Sequence, residues 1–339
     1  MADRSISIRA VAARAGVSVA TVSNVLTGKP TVHPALAARV RTAADELGYV
    51  ADPHASRLRS GKHALAAVMV PDLANPMFGS FVSTLEHLAR VDGFDLLVVS
   101  SANDAAQETE RLKALRAWRP AGLIVIPCDG ALMRRLPNGP RPPIVVADRI
   151  PDDKTFDLVA VDNGPAAATV AAHLADIGAG SCLVAGSSLG ISNVSERWDG
   201  VRGAAGSMTT SFLAVGVEPE GVRHRLRERL SRAPLPEALF TLDHLTSLLA
   251  YSMLAELRLP VPGRIAFASF DETEWMRLVT PAVTAVRQPV EDLAAAAWAQ
   301  LMLRMAGSVG PPETRRLACA VTIRGSTPRL AGRPAHAAA

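Results

Sequence analysis

Cysteine is nearly absent from this chain. Three residues, Cys128, Cys182 and Cys319, lie far apart among 339. Their spacing and odd number exclude a disulfide framework or a zinc site and suit a reducing compartment. No HExxH or CxxC pattern occurs, so no metal or other cofactor is expected. Gly178-Ala179-Gly180 lacks the third glycine of a dinucleotide fingerprint. Ser187, His244 and Asp271 can be drawn as a triad, but no nucleophile elbow supports them, and no enzymatic activity is expected. No uninterrupted apolar run approaches the roughly 18 residues of a membrane span. The start, Met1-Ala2-Asp3-Arg4-Ser5, lacks the build of a secretory signal. The expected location is the cytoplasm, with no membrane partner.

What is present is a large apolar fraction, 49% of residues, enough for a folded chain of two or three domains. Charge is uneven. Residues 1–62 hold nine Lys/Arg and four Asp/Glu, whereas the whole chain has a formal charge of only +4. A basic head on a near-neutral body points to a polyanionic partner for the head. Charge alone leaves a merely solvated face equally open.

After Lys62, short apolar runs recur without alternation, each followed by a helical stretch. They begin at Leu65, Leu96, Leu123, Ile144, Leu158, Cys182, Ala238 and Ile265. Such runs suit strands buried on both faces of parallel sheets, joined as βαβ units. Eight strands divide naturally into two α/β lobes. Asp72, Ser100, Asp148, Asp162, Asp243 and Asp271 follow strands, where ligands bind in open α/β sheets. Singly, each is explained as a helix cap; six in one pattern favour a polar cleft. A helix is expected over residues 196–213. That leaves only 217–236 for a strand, a helix and their turns, so one element of the second lobe is expected to be missing. The run Arg223–Arg232 within it reads as a solvated helix face, with a partner surface as the alternative.

Residues 6–27 read as two short helices. Ser7 caps the first, Ala15-Gly16-Val17 turns the chain, and Ser18 caps a second helix over Val19–Leu26. Val22, Val25 and Leu26 form an apolar stripe, which leaves Val19, Ala20, Ser23 and Asn24 facing outward. A third helix near Pro34–Leu47 completes a small core. This is the pattern of a helix-turn-helix, whose second helix enters the major groove of DNA, with Thr21 and Ser23 able to bond phosphates.

The chain resembles the lactose-repressor (LacI/GalR) family of bacterial transcriptional regulators. The likeness runs through Val11–Ser23, Ala44–Tyr49, Ala55–Gly61, Val70–Phe78, Val161–Asn163, Ser195–Gly200, Ser269–Glu272, Leu278–Pro289 and Ile323–Thr327, in order, over nearly the whole length. The resemblance implies an α/β protein with an all-α helix-turn-helix head and a two-lobed body like the periplasmic sugar-binding proteins. On it, residues 1–50 are the head and 51–63 a hinge helix and linker. Residues 64–328 form the body, with lobe 1 at about 64–162 and 289–318 and lobe 2 at about 163–288 and 319–328; residues 329–339 are a tail. It implies a homodimer, repressing from a pseudo-palindromic double-stranded operator under control of a small polar effector such as a sugar.

By motif position, Val19, Ala20 and Asn24 face bases, and Leu58, beside Ala55, is the hinge leucine that wedges into the minor groove. The matching effector positions are Asp72, Phe78, Asp148, Arg197, Asp271 and Trp275. Carboxylates accept from sugar hydroxyls, Arg forks two oxygens and an aromatic stacks on a ring. An Arg197–Asp271 structural ion pair and a core Trp275 are the competing readings. Two features depart from the family: Leu242-Asp243 where Asn-Asp is common, and the short 217–236 connection. They raise the alternative of a solute-binding protein, or of a regulator whose effector site is altered or lost. Asn24 stands where many members carry Arg, which alters the expected base preference.

Overall fold

The computed structural model describes residues 7–26, 32–49 and 65–329. The chain divides into two compact units, within residues 1–64 and 65–339.

In the first unit, α1 (Ile8–Ala15), α2 (Val19–Leu26) and α3 (Pro34–Leu47) pack around Val11, Ala12, Ala15, Val22, Val25, Val40, Ala43 and Ala44. Local chemistry sets each boundary. Ser7 Oγ accepts from Ala10 N, and Gly16 ends α1 at φ +64°, a conformation glycine adopts without strain. Ser18 Oγ accepts from Thr21 N at 3.1 Å and starts α2.

The second unit contains two six-stranded sheets. The first has the order β11-β5-β4-β3-β1-β2, all parallel. Its strands are β1 (Leu65–Val70), β2 (Asp95–Ser100), β3 (Gly122–Val125), β4 (Ile144–Ala147), β5 (Asp157–Val161) and β11 (Thr314–Leu317). The second has the order β12-β10-β9-β8-β6-β7, parallel except for β12 against β10. It comprises β6 (Ser181–Gly186), β7 (Thr209–Ala214), β8 (Ala238–Thr241), β9 (Ala266–Phe270), β10 (Thr284–Arg287) and β12 (Ala320–Thr322). All eight apolar runs of the sequence are strands. Four further strands lie outside those runs: β7, β10, β11 and β12.

Helices cover both faces of each sheet, as buried parallel strands require. The chain passes from the first sheet to the second after β5, returns after β10 and crosses again between β11 and β12. The strand order reverses at β1 and at β6, so each sheet has a switch point whose carboxyl end is a natural ligand crevice.

The second lobe is complete, which corrects the expectation of a missing element. The helix expected over 196–213 is Ser192–Ala204, and Thr209–Ala214 is strand β7. The segment 217–236 therefore has to hold only the helix Pro219–Leu230. Val222, Leu226 and Leu230 of that helix are buried at four-residue spacing. Arg223 and Arg227 both pair with Glu256 at 2.5 Å on its outer side. The basic run is the solvated face of a structural helix.

The helices α7 (Asn163–Asp176) and α8 (Ser192–Ala204) of this lobe approach backbone to backbone. A Cβ on Gly200 would lie 2.2 Å from the carbonyl oxygen of Gly164, whereas one on Gly203 would meet nothing within 4 Å. Gly200→Ala is expected to destabilise the body by about 1–3 kcal/mol, as overpacking does. Gly203→Ala is expected to stabilise it by up to about 1 kcal/mol through helix propensity. Thermal unfolding of the two variants checks the opposite signs.

Candidate DNA-binding face and effector cleft

The second helix of the head buries Val22 and Val25, while Val19 and Ala20 are exposed and Thr21, Ser23 and Asn24 are partly exposed. The small side chains at the start of α2 let its backbone approach a surface closely. Ser18 and Thr21 share a hydroxyl–hydroxyl contact of 2.9 Å at the same end. Ala55 and Leu58 lie outside the described residues.

In the body, the carboxyl ends of the two sheets meet across a polar cleft. From lobe 1 come Asp148 and Arg149, immediately after β4. From lobe 2 come Asn193 and Arg197 on α8, Asp271 after β9 and Gln288 after β10. Asp148 and Asp271 both adopt left-handed backbone, φ +61° and +69°, a conformation that costs a non-glycine residue about 1–3 kcal/mol and recurs at functional sites. Asn193 Nδ2 donates to Asp148 Oδ2 at 3.1 Å across the cleft. Ile150 N donates to Ser192 Oγ at 2.7 Å beside it, and Arg316 pairs with Glu196 at 2.6 Å. These three contacts tie the lobes together.

Arg197 is only 1% exposed. Its Nε donates to Asn163 Oδ1 at 2.8 Å, its Nη1 donates to Leu242 O at 2.6 Å, and Nη1 lies 3.5 Å from Asp271 Oδ2. The guanidinium carbon sits 3.7 Å from the centre of the Phe270 ring. Gln288 Nε2 donates to Asp271 Oδ1 in a short hydrogen bond. On the other wall, Arg149 donates to the carbonyls of Pro127 and Cys128 and to Asn103 Oδ1. Burial pushes the Asp148 and Asp243 carboxyls above their usual range, and it lowers the Arg149 guanidinium.

The space is divided. An inner chamber of about 40 Å³ lies among Asp148, Arg149, Asn193, Arg197 and Asp271, which is room for about three waters. An outer cavity of about 770 Å³ opens beside it, lined by Trp275, His244, Gln288 and Glu274 among others; its size is that of a small-molecule site. Asn75, Met77, Asp271 and Gln288 line both.

The sequence-derived candidates fall out as follows. Asp148, Arg197, Asp271 and Phe78 line the inner chamber, and Trp275 lines the outer cavity. Trp275 packs on Tyr251 at 5.0 Å between ring centres, half in the core. Asp72 is not brought to either chamber: its Oδ1 accepts from Ala74 N at 2.8 Å in the turn after β1. Arg197 and Asp271 do form the ion pair that sequence reading raised as the competing explanation. Leu242 removes less than its side chain suggests, because that side chain is core and its carbonyl is what holds Arg197. Asp243 caps the helix after β8 through Thr246 N and accepts from Ser187 N. His244 Nδ1 is buried without a hydrogen-bond partner, so no Ser187–His244–Asp271 relay is wired. Asn193, Gln288 and Arg149 were not singled out from the sequence. Asn193 lies in the first turn of one helix and Gln288 just before another, with no spacing that distinguishes them from ordinary surface amides.

A three-helix head of helix-turn-helix build, followed by a two-lobed body with a polar cleft, defines a ligand-responsive transcription regulator. Residues 7–52 match the model of "Bacterial regulatory proteins, lacI family". Residues 62–208 match "Periplasmic binding proteins and sugar binding domain of LacI family", and 184–327 match "Periplasmic binding protein-like domain". The chain is 30% identical over 331 residues to the HTH-type transcriptional regulator PtxS of Pseudomonas aeruginosa, covering 95% of this chain and 96% of that one. A solved LacI-family regulator from Silicibacter pomeroyi superposes with a TM-score of 0.79 at 21% identity, covering 96% of this chain and 100% of that one. A CelR–cellobiose complex does so with a TM-score of 0.68 at 22% identity, covering 95% and 99%. The chain belongs to the lacI family of bacterial regulatory proteins and is a DNA-binding transcriptional regulator. Among the described residues no helix is long and apolar enough to cross a membrane.

Arg197→Ala leaves Asp271 and the Leu242 carbonyl without their cation in a buried site. It is expected to destabilise the body by about 3–5 kcal/mol, the range for breaking a buried pair. Urea unfolding followed by tryptophan fluorescence measures it.

Proposed function

We propose that this regulator represses transcription as a homodimer in the cytoplasm, bound to a pseudo-palindromic operator and released or engaged by a small hydroxylated effector in the interlobe cleft. The observation that carries the effector part is the convergence of Asp148, Asn193, Arg197, Asp271 and Gln288, all at least nine-tenths buried apart from Asp271, at the carboxyl ends of both sheets. A cellobiose complex sharing this fold supports the choice of a sugar or sugar derivative. In this reading the cleft binds and does not catalyse. Arg197 and Asp271 serve as both structural pair and ligand wall, Trp275 faces the ligand from the outer cavity, and Phe78 floors the inner chamber. Symmetry follows from the head: one small three-helix unit covers one half-site, so two heads are needed for a specific operator.

The head reads sequence through α2. Val19 and Ala20 meet the groove with apolar surface, suited to a thymine methyl, and Asn24 is the side chain of the three able to pair with adenine N6 and N7. Selection of genomic fragments by the purified protein identifies the operator. Asn24→Ala is then expected to cost about 1–3 kcal/mol on that operator and to flatten discrimination at one A·T pair per half-site. A binding series over all four base pairs at that position checks it; retention of the wild-type preference would place the helix differently.

The effector role is tested with Arg197→Lys, which keeps the buried cation while losing the fork to Asn163 and Leu242. Its expected outcome is normal operator binding with an effector response weakened at least tenfold, measured as the effector concentration that half-shifts operator occupancy. An unchanged midpoint would remove Arg197 from the site.

A further inference from the structure

Lobe 1 carries a second recess, at the amino ends of β3 and β4 and so at the opposite end of its sheet from the cleft. Leu112, Leu115, Leu123, Leu136 and Ile144 line it, and Arg116 and Arg141 stand at its rim. Its volume of about 30 Å³ is that of one water or one methyl group. A water there would have few of the polar partners it needs, so the tip of an aliphatic side chain is the better occupant.

The surface around the recess is strongly basic, in a body that is near neutral as a whole. Residues 111–141 hold seven Lys/Arg and one acid, Asp129. Two of the cations are neutralised within the lobe: Lys113 by Glu110 at 2.8 Å, and Arg135 by Glu108 and Asp129. The other five, Arg111, Arg116, Arg119, Arg134 and Arg141, are exposed. Among the described residues none of these five forms an ion pair. Local contacts hold the two rim arginines: Arg116 Nη1 donates to Asn138 O at 2.9 Å, and Arg141 Nη1 lies 3.3 Å from Met133 Sδ. Asp153 feels the charge of Arg141, but its hydrogen bonds with Thr155 are what chiefly hold its carboxyl below the usual range.

Unpaired like charges repel one another and add nothing to the stability of the fold; they suit an anionic partner. Duplex DNA offers phosphates to the arginines but no aliphatic side chain to the recess. An acidic protein segment offers both, and apolar anchors set among arginines are the pattern of protein–protein contacts. We propose that this face of lobe 1 docks an acidic segment of another protein. The segment sets one aliphatic side chain in the recess and its carboxylates on Arg116, Arg134 and Arg141. Exposed ion pairs are individually weak and screened by salt, so the contact is transient and the apolar tip fixes its register. The docking is independent of what the cleft binds.

The test is fluorescence anisotropy of the full-length protein with short labelled peptides, each carrying a central Ala, Val, Leu, Ile or Met between runs of Glu. Every probe has one counterpart with Gly at the centre and another with Lys in place of Glu. At least one Glu probe is expected to bind, at least tenfold tighter than its Lys counterpart and threefold tighter than its Gly counterpart, and to weaken as salt is raised. Arg134→Glu with Arg141→Glu is expected to weaken it at least tenfold while operator affinity stays within twofold. Should that variant not fold, Arg116→Gln with Arg141→Gln is expected to weaken it at least threefold. Binding by no Glu probe overturns the proposal. So does binding that a folded variant leaves unchanged, which would place the peptide elsewhere, as on the basic head. Equal binding of the Gly counterpart overturns the role of the recess. A random-sequence duplex whose affinity falls in the variant as far as the probe's does makes the face a nucleic-acid surface and overturns the protein partner.

Discussion

One buried guanidinium organises the second lobe. Arg197 reaches from α8 to the end of β8, to the start of α7 and to the carboxylate after β9, with the Phe270 ring beneath it. Without that cation the carboxyl ends of β8 and β9 would present a carbonyl and a carboxylate to the chamber without the charge that now bridges them. With it, three separate elements are registered to within hydrogen-bond distance at one point. The cost of burying a charge is offset only when the surrounding geometry is this complete, and the same completeness fixes where Arg197 Nη2 and Gln288 Oε1 lie.

The two lobes divide the labour of the cleft differently. Lobe 2 contributes a rigid wall, since Arg197, Asp271 and Gln288 hold one another. Lobe 1 contributes Asp148 and Arg149 on a strained turn, with Arg149 anchored to carbonyls of its own lobe. Contact between the walls rests on few bonds, chiefly Asn193 to Asp148 and Ser192 to the Ile150 amide.

Much of this was legible in the sequence. Both-face-buried strands announce themselves as apolar runs, and those beginning at Leu65 and Cys182 are strands of the two sheets. Ser7, Gly16 and Ser18 mark the head's helices because capping chemistry is local. Three of the four edge strands were not legible, and neither was the inner strand β10. Thr209–Ala214, Thr314–Leu317 and Ala320–Thr322 are partly solvated and lack the continuous apolar runs of the inner strands, so their strand state comes from the neighbour they pair with and not from their own composition. That single omission turned β7 into an imagined helix extension and produced a deficit in lobe 2 that does not exist. In the cleft, Arg197, Asp148 and Asp271 were found through family motif position. Asn193 and Gln288 act by the direction in which they turn their carbonyls, which only the neighbouring carboxylates determine. Leu242 misled for a related reason, because its contribution is made by its backbone.

The threading of the chain has a consequence for synthesis. Lobe 1 is interrupted: its sixth strand, β11, and the helix Val290–Met305, whose Leu293, Trp298 and Leu301 cover the sheet beside Val68 and Ile124, are encoded after most of lobe 2. At ribosomal rates of about 5–20 residues per second, the roughly 150 intervening residues take on the order of ten seconds or more to emerge. During that interval one face of the first sheet carries the helix Pro76–Val91 but lacks its neighbour, and β5 is an open edge, the situation in which nascent strands associate wrongly. Lobe 2, by contrast, lacks only the three-residue strand β12 and the segment around Ser326 when β10 is complete. The later-made lobe is therefore the first to be nearly whole, although its last strand is the last to emerge.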